Sequence, residues 1–245
     1  MIFQIDNVTT MDAEFRQKML TLRKQVFCDT LLWDIPHCDG LEADIFDFTS
    51  AFYMNWIDES EGQLLGSVRL MPMTQNNLLN TVFRNTVEAE HLMQIENDPT
   101  IWEGARLCIN EAFVQNRFGK EGLYHLLYGL LMSCEAIGIR TLVCNCDSLM
   151  YRRYRQLGLD LMHLGKTKQF RHGAVHCLSF EISMQNKMVL NELCNGAYHC
   201  KTSPVVGAAI PFAYQIVASS APVKLTVLSG CCQTNSNSSL NALQV

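Results

Sequence analysis

Apolar residues first recur at helical intervals at Met11, Phe15, Met19, Leu22 and Val26, which predicts an amphipathic helix over residues 11 to 32. Thr9, Thr10 or Asp12 can cap its start, and Arg16, Lys18, Arg23 and Lys24 make one side basic. Asp34 to Gly40, with Pro36 and Asp39-Gly40, reads as a loop. Residues 51 to 58 and 64 to 71 read as strands joined by Glu59-Ser60-Glu61-Gly62 into an antiparallel hairpin. Residues 74 to 99 are predicted as a polar loop with a short helix around 78 to 83, ended by Asp98-Pro99, and residues 102 to 114 as a strand. Gly119 to Gly122 opens a helix through Ile137 that is apolar nearly all round, hence buried, and Gly138 closes it. A strand over 139 to 146, a short basic helix over 148 to 157 and a strand pair over 159 to 184 complete an α/β pattern of helices on one sheet.

Beyond Lys187 this patterning stops. The chain therefore divides into a domain over residues 1 to 187 and an extension over 188 to 245 of unassigned role. Lys201 to Lys224 brackets an uncharged stretch, but Pro204, Pro211 and Pro222 interrupt it, so no membrane span is expected. Gly230 to Asn241 is rich in Ser and Asn, a composition expected to be disordered. The 48% hydrophobic content supplies a sizeable core, and the net charge of −5 argues against a nucleic-acid partner. The first residues lack a basic segment followed by an apolar one, so no secretory signal is read and a cytoplasmic location is expected. Eleven cysteines suit reduced thiols rather than a metal site. Cys144/Cys146 and Cys231-Cys232 do not have finger spacing, and adjacent pairs such as His37-Cys38, His176-Cys177 and His199-Cys200 would point to opposite faces of a strand.

Charge changes the picture most between residues 23 and 106. Arg23, Glu42, Asp44, Asp47, Arg69, Glu103 and Arg106 interrupt largely apolar elements. Buried charges must pair or hold a ligand, and a set with both signs suits a zwitterionic or mixed-charge small molecule; surface ion pairs are the plainer alternative. Glu103 and Arg106 are three apart on a predicted strand, so alternation would separate them. A β-bulge between them is therefore expected, bringing both to one cleft. Phe27, Trp33 and Trp102 flank the charges and can wall a planar group or simply pack the core. Arg117-Phe-Gly119-Lys-Glu-Gly122, read as following a strand and opening a helix, has the form of a phosphate-binding turn or of an ordinary one.

Five ordered blocks give the chain a resemblance to the acyl-homoserine-lactone synthases, the autoinducer synthases of quorum sensing. They are Leu22-Arg23-Lys-Gln-Val-Phe27, Leu32-Trp33, Gly40-Leu-Glu42-Ala-Asp44-Ile-Phe-Asp47, Gly66-Ser-Val-Arg69-Leu-Met-Pro72 and Trp102-Glu103-Gly-Ala-Arg106. The likeness spans roughly residues 1 to 185 and implies an acetyltransferase-like (GNAT) fold with a mixed, mostly antiparallel, twisted sheet. It implies an acyltransferase that moves an acyl chain from acyl carrier protein, or less often coenzyme A, to the amine of S-adenosylmethionine and then lactonises the product. Both are substrates, so no cofactor and no metal are implied.

The same resemblance implies that Arg23, Phe27, Trp33, Glu42 and Asp44 bind S-adenosylmethionine, and that Glu103, Arg106, Asp44, Asp47 and Arg69 form the catalytic set, with Glu103 as base. Trp102, Gly119, Gly122, Cys144 and Cys146 are expected along the acyl and phosphopantetheine path, between strands near 102 to 114 and 139 to 146. Arg152, Arg153 and Arg155 can receive an acidic carrier protein or can be a solvated basic face. Relatives making 3-oxo products often carry threonine where Cys144 and Cys146 stand, so a donor without a 3-oxo group is expected. The rival readings are an N-acetyltransferase using acetyl-coenzyme A and a catalytically silent protein that binds an adenosyl ligand.

Overall fold

The computed structural model of the chain describes residues 1–48, 51–171, 173–196 and the pair 205–206. His199-Cys200, the 201 to 224 stretch apart from that pair, Gly230 to Asn241 and Cys231-Cys232 lie outside the described residues.

A strand absent from the sequence reading, β1 (Ile2–Asn7), begins the chain. Helix α1 (Ala13–Lys24) is capped by Asp12, whose carboxylate accepts from Phe15 N at 3.0 Å, and it continues as a π-helical turn over Gln25–Thr30. A small hairpin, β2 (His37–Cys38) with β3 (Leu41–Glu42), and a 3-10 turn over Ile45–Phe48 lead to β4 (Phe52–Asp58) and β5 (Gln63–Pro72), the predicted hairpin. The 74 to 99 region holds more helix than expected: α2 (Leu78–Thr81) and α3 (Ala89–Asn97).

The predicted strand over 102 to 114 is corrected to β6 (Ile101–Ile109) followed by a helix, α4 (Glu111–Phe118). Then come α5 (Gly122–Ala136), β7 (Thr141–Asp147) and α6 (Ser148–Gln156). The expected final strand pair is one long strand, β10 (Gly173–Glu181), flanked by two short ones, β8 (Met162–His163) and β9 (Lys168–Phe170). Helix α7 (Met184–Leu193) crosses the expected boundary at 187, and core packing continues through Leu190 and Cys194. The pair Val205–Val206 forms β11 beside β1.

The main sheet has the order β11-β1-β4-β5-β6-β7-β10-β8, with β9 on β10; its pairs are antiparallel except β1 with β11 and β6 with β7. Alternation along β4 and β5 divides the core. Met54, Trp56, Val68 and Leu70 pack toward α5, whose Leu126, Leu127, Leu130 and Leu131 are buried, while Tyr53 and Met71 face the α1 side. The sheet is thus covered on both faces and is of the mixed, mostly antiparallel kind expected.

The parallel pairing of β6 and β7 decides where a site can form. It runs only from Ile101 with Thr141 to Glu103 with Val143, and past that point the two strands part. The gap opens in the middle of the sheet, between its two helical layers.

Candidate active site

The expected bulge lies on β6. Ser67 pairs with Cys108 and Arg69 with Ala105, so two steps on β5 match three on β6, and the extra residue falls at Arg106-Leu107. Arg106 has φ of 54°, a left-handed conformation that is strained for a residue with a Cβ and common at functional sites. The bulge breaks the alternation that would have sent Glu103 and Arg106 to opposite faces. Both line one cavity of about 880 Å³.

That cavity occupies the gap between β6 and β7. Phe27, Trp33, Glu103 and Arg106 lie in its wall, as do Cys144, Cys146, Gly119 and Gly122. The π-helical turn shapes one side: Leu31 N donates to Val26 O at 2.9 Å, Trp33 N donates to Phe27 O at 2.8 Å, and the two rings stack with centroids 5.1 Å apart. The Arg106 guanidinium sits 5.7 Å from the Phe27 ring centroid.

Behind the wall is a closed ionic network. Arg23 donates from Nε to Glu42 at 2.6 Å, and from one terminal nitrogen to Asp47 and to the Tyr53 hydroxyl, each at 2.8 Å. Arg69 donates to Asp44 at 2.6 Å and to Asp47 at 2.8 Å. Arg106 completes it, donating to Glu42 and Asp44 at 3.2 Å. Asp47 also accepts from Tyr53 and from the Asp44 backbone N–H. Burial alone would raise the Asp47 pKa, but the Arg23 and Arg69 guanidiniums outweigh it and hold the carboxyl well below its usual range. The same burial pushes the Tyr53 phenol up, so it remains a donor to Asp47.

The sequence expectation that Arg23 and Glu42 face a ligand is corrected by this geometry. Arg23, Glu42, Asp47 and Arg69 are buried and absent from the cavity wall; they are pinned to one another and support Arg106, which does reach it. Trp102 is likewise displaced from the expected acyl path. Its ring packs on Phe52 at 5.3 Å and its indole N–H donates to Pro99 O at 3.1 Å, so it belongs to the core. Tyr53, which sequence reasoning missed, stands directly opposite Arg69 on β4.

Glu103 behaves differently from the other carboxylates. It is buried, forms no ion pair among the described residues and accepts instead from the backbone N–H of Leu78 at 3.1 Å, at the start of α2. Burial raises its pKa to about 7, and Arg69, the Leu78 and Leu79 N–H groups and Arg106 only partly oppose that rise. Burial thus prevails over the nearby arginines at Glu103, the reverse of the balance at Asp47. A carboxyl poised near neutrality in a cavity wall has the protonation range of a general base.

The glycine turn follows α4 rather than a strand. Gly119 has φ of 54°, a backbone conformation that favours glycine, and a Cβ on Gly122 would lie 2.1 Å from a Val114 methyl, so the turn explains the first glycine and close packing of α4 on α5 the second. Both still border the cavity. Cys144 and Cys146 point to the α5 and α6 side of β7 and hydrogen-bond to each other; that bond and burial push the Cys144 thiol far up, leaving it neutral. Arg152, Arg153 and Arg155 are all exposed on α6, and Arg153 borders the cavity mouth.

With this geometry in place, the autoinducer synthase family model matches residues 7–189. The chain belongs to the autoinducer synthase family. It is 32% identical over 191 residues to an acyl-homoserine-lactone synthase of Pseudomonas aeruginosa, covering 78% of this chain and 94% of that protein. Over 189 residues it is 28% identical to one of Aeromonas hydrophila, covering 76% and 89%. Its fold is similar, with a TM-score of 0.68, to a solved coenzyme-A-dependent acyl-homoserine lactone synthase, BjaI, described with SAM and isopentyl-CoA; identity is 18%, over 84% of this chain and 92% of that one. The acetyltransferase-like fold expected from the five sequence blocks is the observed one. This autoinducer synthase is an acyltransferase of that fold, and among its described residues no helix is long and apolar enough to cross a membrane.

Proposed function

We propose that this autoinducer synthase joins an acyl thioester to S-adenosylmethionine and closes the product to an N-acyl-L-homoserine lactone. Buried Glu103, with its pKa raised to about 7 at the point where β6 and β7 part, is the observation that carries the reading. Glu103 takes a proton from the methionine amine, and the amine nitrogen attacks the thioester carbon. The oxyanion that forms needs donors, for which the N–H groups of bulged β6 are the candidates, having no partner strand on the β7 side beyond Glu103. The carbon–sulfur bond breaks and the carrier thiol leaves with a proton. In the second step the methionine carboxylate attacks the carbon next to the sulfonium, whose bond to sulfur breaks to release methylthioadenosine. The sulfonium is already a good leaving group, so the protein has mainly to hold a bent substrate.

Phe27, Trp33 and Arg106 would meet S-adenosylmethionine, while Asp44, Asp47, Arg69, Arg23 and Glu42 hold Arg106 and the bulge in place. Gly119 and Gly122 would flank the pantetheine arm of the donor. An acyl carrier protein is the preferred donor because Arg152, Arg153 and Arg155, which form no ion pair among the described residues, stand exposed on α6 with Arg153 bordering the cavity. The proposed substrates, S-adenosylmethionine with acyl carrier protein or coenzyme A, support a cytoplasmic location for the reaction. The test is incubation with S-adenosylmethionine and acyl donors on carrier protein or coenzyme A, followed by mass spectrometry. Acyl-homoserine lactone with methylthioadenosine is the expected product. Acetylated amine would favour the acetyltransferase, and binding without turnover the silent adenosyl-ligand protein.

A further inference from the structure

The acyl side of the cavity carries a hydroxyl that the reaction as described does not use. Tyr154, on the core face of α6, is only 6% exposed, yet it lines the cavity, and its hydroxyl forms no hydrogen bond among the described residues. It is not among the buried polar atoms sealed from water without a partner. Tyr154 belongs to the main hydrophobic cluster, its ring centroid lies 6.4 Å from that of Phe180, and Cys144, Cys146 and Asp147 act on it electrostatically. Burial first, then Cys144, Cys146 and Asp147, push its pKa far above the usual phenol value, so the O–H stays intact as a donor.

Position narrows what this donor can meet. Glu103 pairs with Val143, and Cys144 is the next residue, turned to the opposite face of β7 where Tyr154 packs. A thioester carbon held near Glu103 would therefore send its acyl chain past the cysteines toward Tyr154 within its first few carbons, since one strand residue spans about 3.3 Å. A hydroxyl left without a partner in such a place is costly against a plain hydrocarbon chain and favourable against one that carries an acceptor.

We infer that the Tyr154 hydroxyl donates to an oxygen on the acyl chain, carbonyl or hydroxyl, near the third carbon, and so selects oxygenated acyl donors. This rests on the synthase reading above. It reverses the expectation drawn from Cys144 and Cys146, because the hydroxyl those positions lack is supplied from α6 instead. A site built to donate a hydrogen bond discriminates strongly against the analogue without the acceptor, whereas an apolar pocket hardly rejects an added oxygen.

The test uses the full chain, S-adenosylmethionine and 3-oxo, 3-hydroxy and unsubstituted donors of equal chain length, with wild type and Tyr154→Phe measured side by side. Wild type is expected to show the higher kcat/KM on an oxygenated donor. Tyr154→Phe should lose about tenfold or more on that donor while staying within about twofold on the unsubstituted one. Equal kinetics of the two proteins on all donors, or an equal loss on all, would overturn the assignment. A wild-type preference for unsubstituted donors overturns it even if Tyr154→Phe does not fold. Absence of lactone from every donor would instead remove the synthase reading and this inference together.

Discussion

At the scale of single residues, the two kinds of buried carboxylate separate support from chemistry. Asp47 is ion-paired and held ionised, whereas Glu103 has no ion-pair partner among the described residues and its pKa is raised to about 7. Glu103→Gln should lose roughly a hundredfold or more in acyl transfer, typical of removing a general base, with kcat/KM in wild type rising with pH through about 7. The folded pKa of Glu103 is raised from 4.5 to about 7, so its contribution to stability is present below pH 4.5 and is lost as pH rises through 7. At pH 8 Glu103→Gln is thus expected to melt at or above the wild-type temperature, by calorimetry, while remaining inactive; a lower melting point would show that the ionised form stabilises the fold. Asp47 carries the opposite sign: its pKa is depressed, so its stabilisation is present above the usual 3.8 and is lost as pH falls. Asp47→Ala or Arg69→Ala, by leaving buried partners unpaired, should destabilise by about 3–5 kcal/mol. Unchanged unfolding midpoints in denaturant would contradict a sealed network.

Among the elements, the bulge was legible and several neighbours were not. Glu103 and Arg106 three apart on an apparent strand forced an irregularity, and β6 has it. Tyr53 escaped because β4 has its own register shift between Trp56 and Ile57; a regular hairpin would have set Tyr53 opposite Val68 and off the Arg69 face. Strand β1 alternates Phe3, Ile5 with Gln4, Asp6 over only six residues, a short pattern that carries little signal until β4 pairs with it. The run Ala112-Phe113-Val114 reads equally as strand or helix, and only packing of Val114 against Gly122 decides for α4. Glu103's contact with Leu78 N is a tertiary event that no spacing predicts. The bulge makes a prediction of its own: Arg106→Gly and Arg106→Ala both remove the pairs to Glu42 and Asp44, but alanine retains a Cβ at φ of 54°. Glycine should therefore give the more stable variant by about 1 kcal/mol, the reverse of the usual order within a strand. Alanine melting higher than glycine would mean that the bulge relaxes once the arginine is gone.

For the whole molecule, the chemistry and the C-terminal extension sit at different parts of the sheet. The cavity opens between β6 and β7, whereas Val205–Val206 pairs with the outer edge of β1, separated from β6 by β4 and β5. The family match ends at 189, and α7, packed on α5, closes the core by Cys194. A chain ending at residue 206 is therefore expected to keep wild-type acyl transfer, measured as lactone formed per enzyme. A chain ending at residue 196 should keep it too, but it loses the pair that covers β1. Exposed strand edges offer unpaired N–H and C=O groups to other chains, so this shorter form should associate at concentrations where the 206 form does not, as read by light scattering. Loss of turnover in the 206 form would bring residues 207 to 245 into the reaction. Equal behaviour of the two truncations in solution would show that β1 needs no cover, and that the extension serves something other than the edge of this sheet.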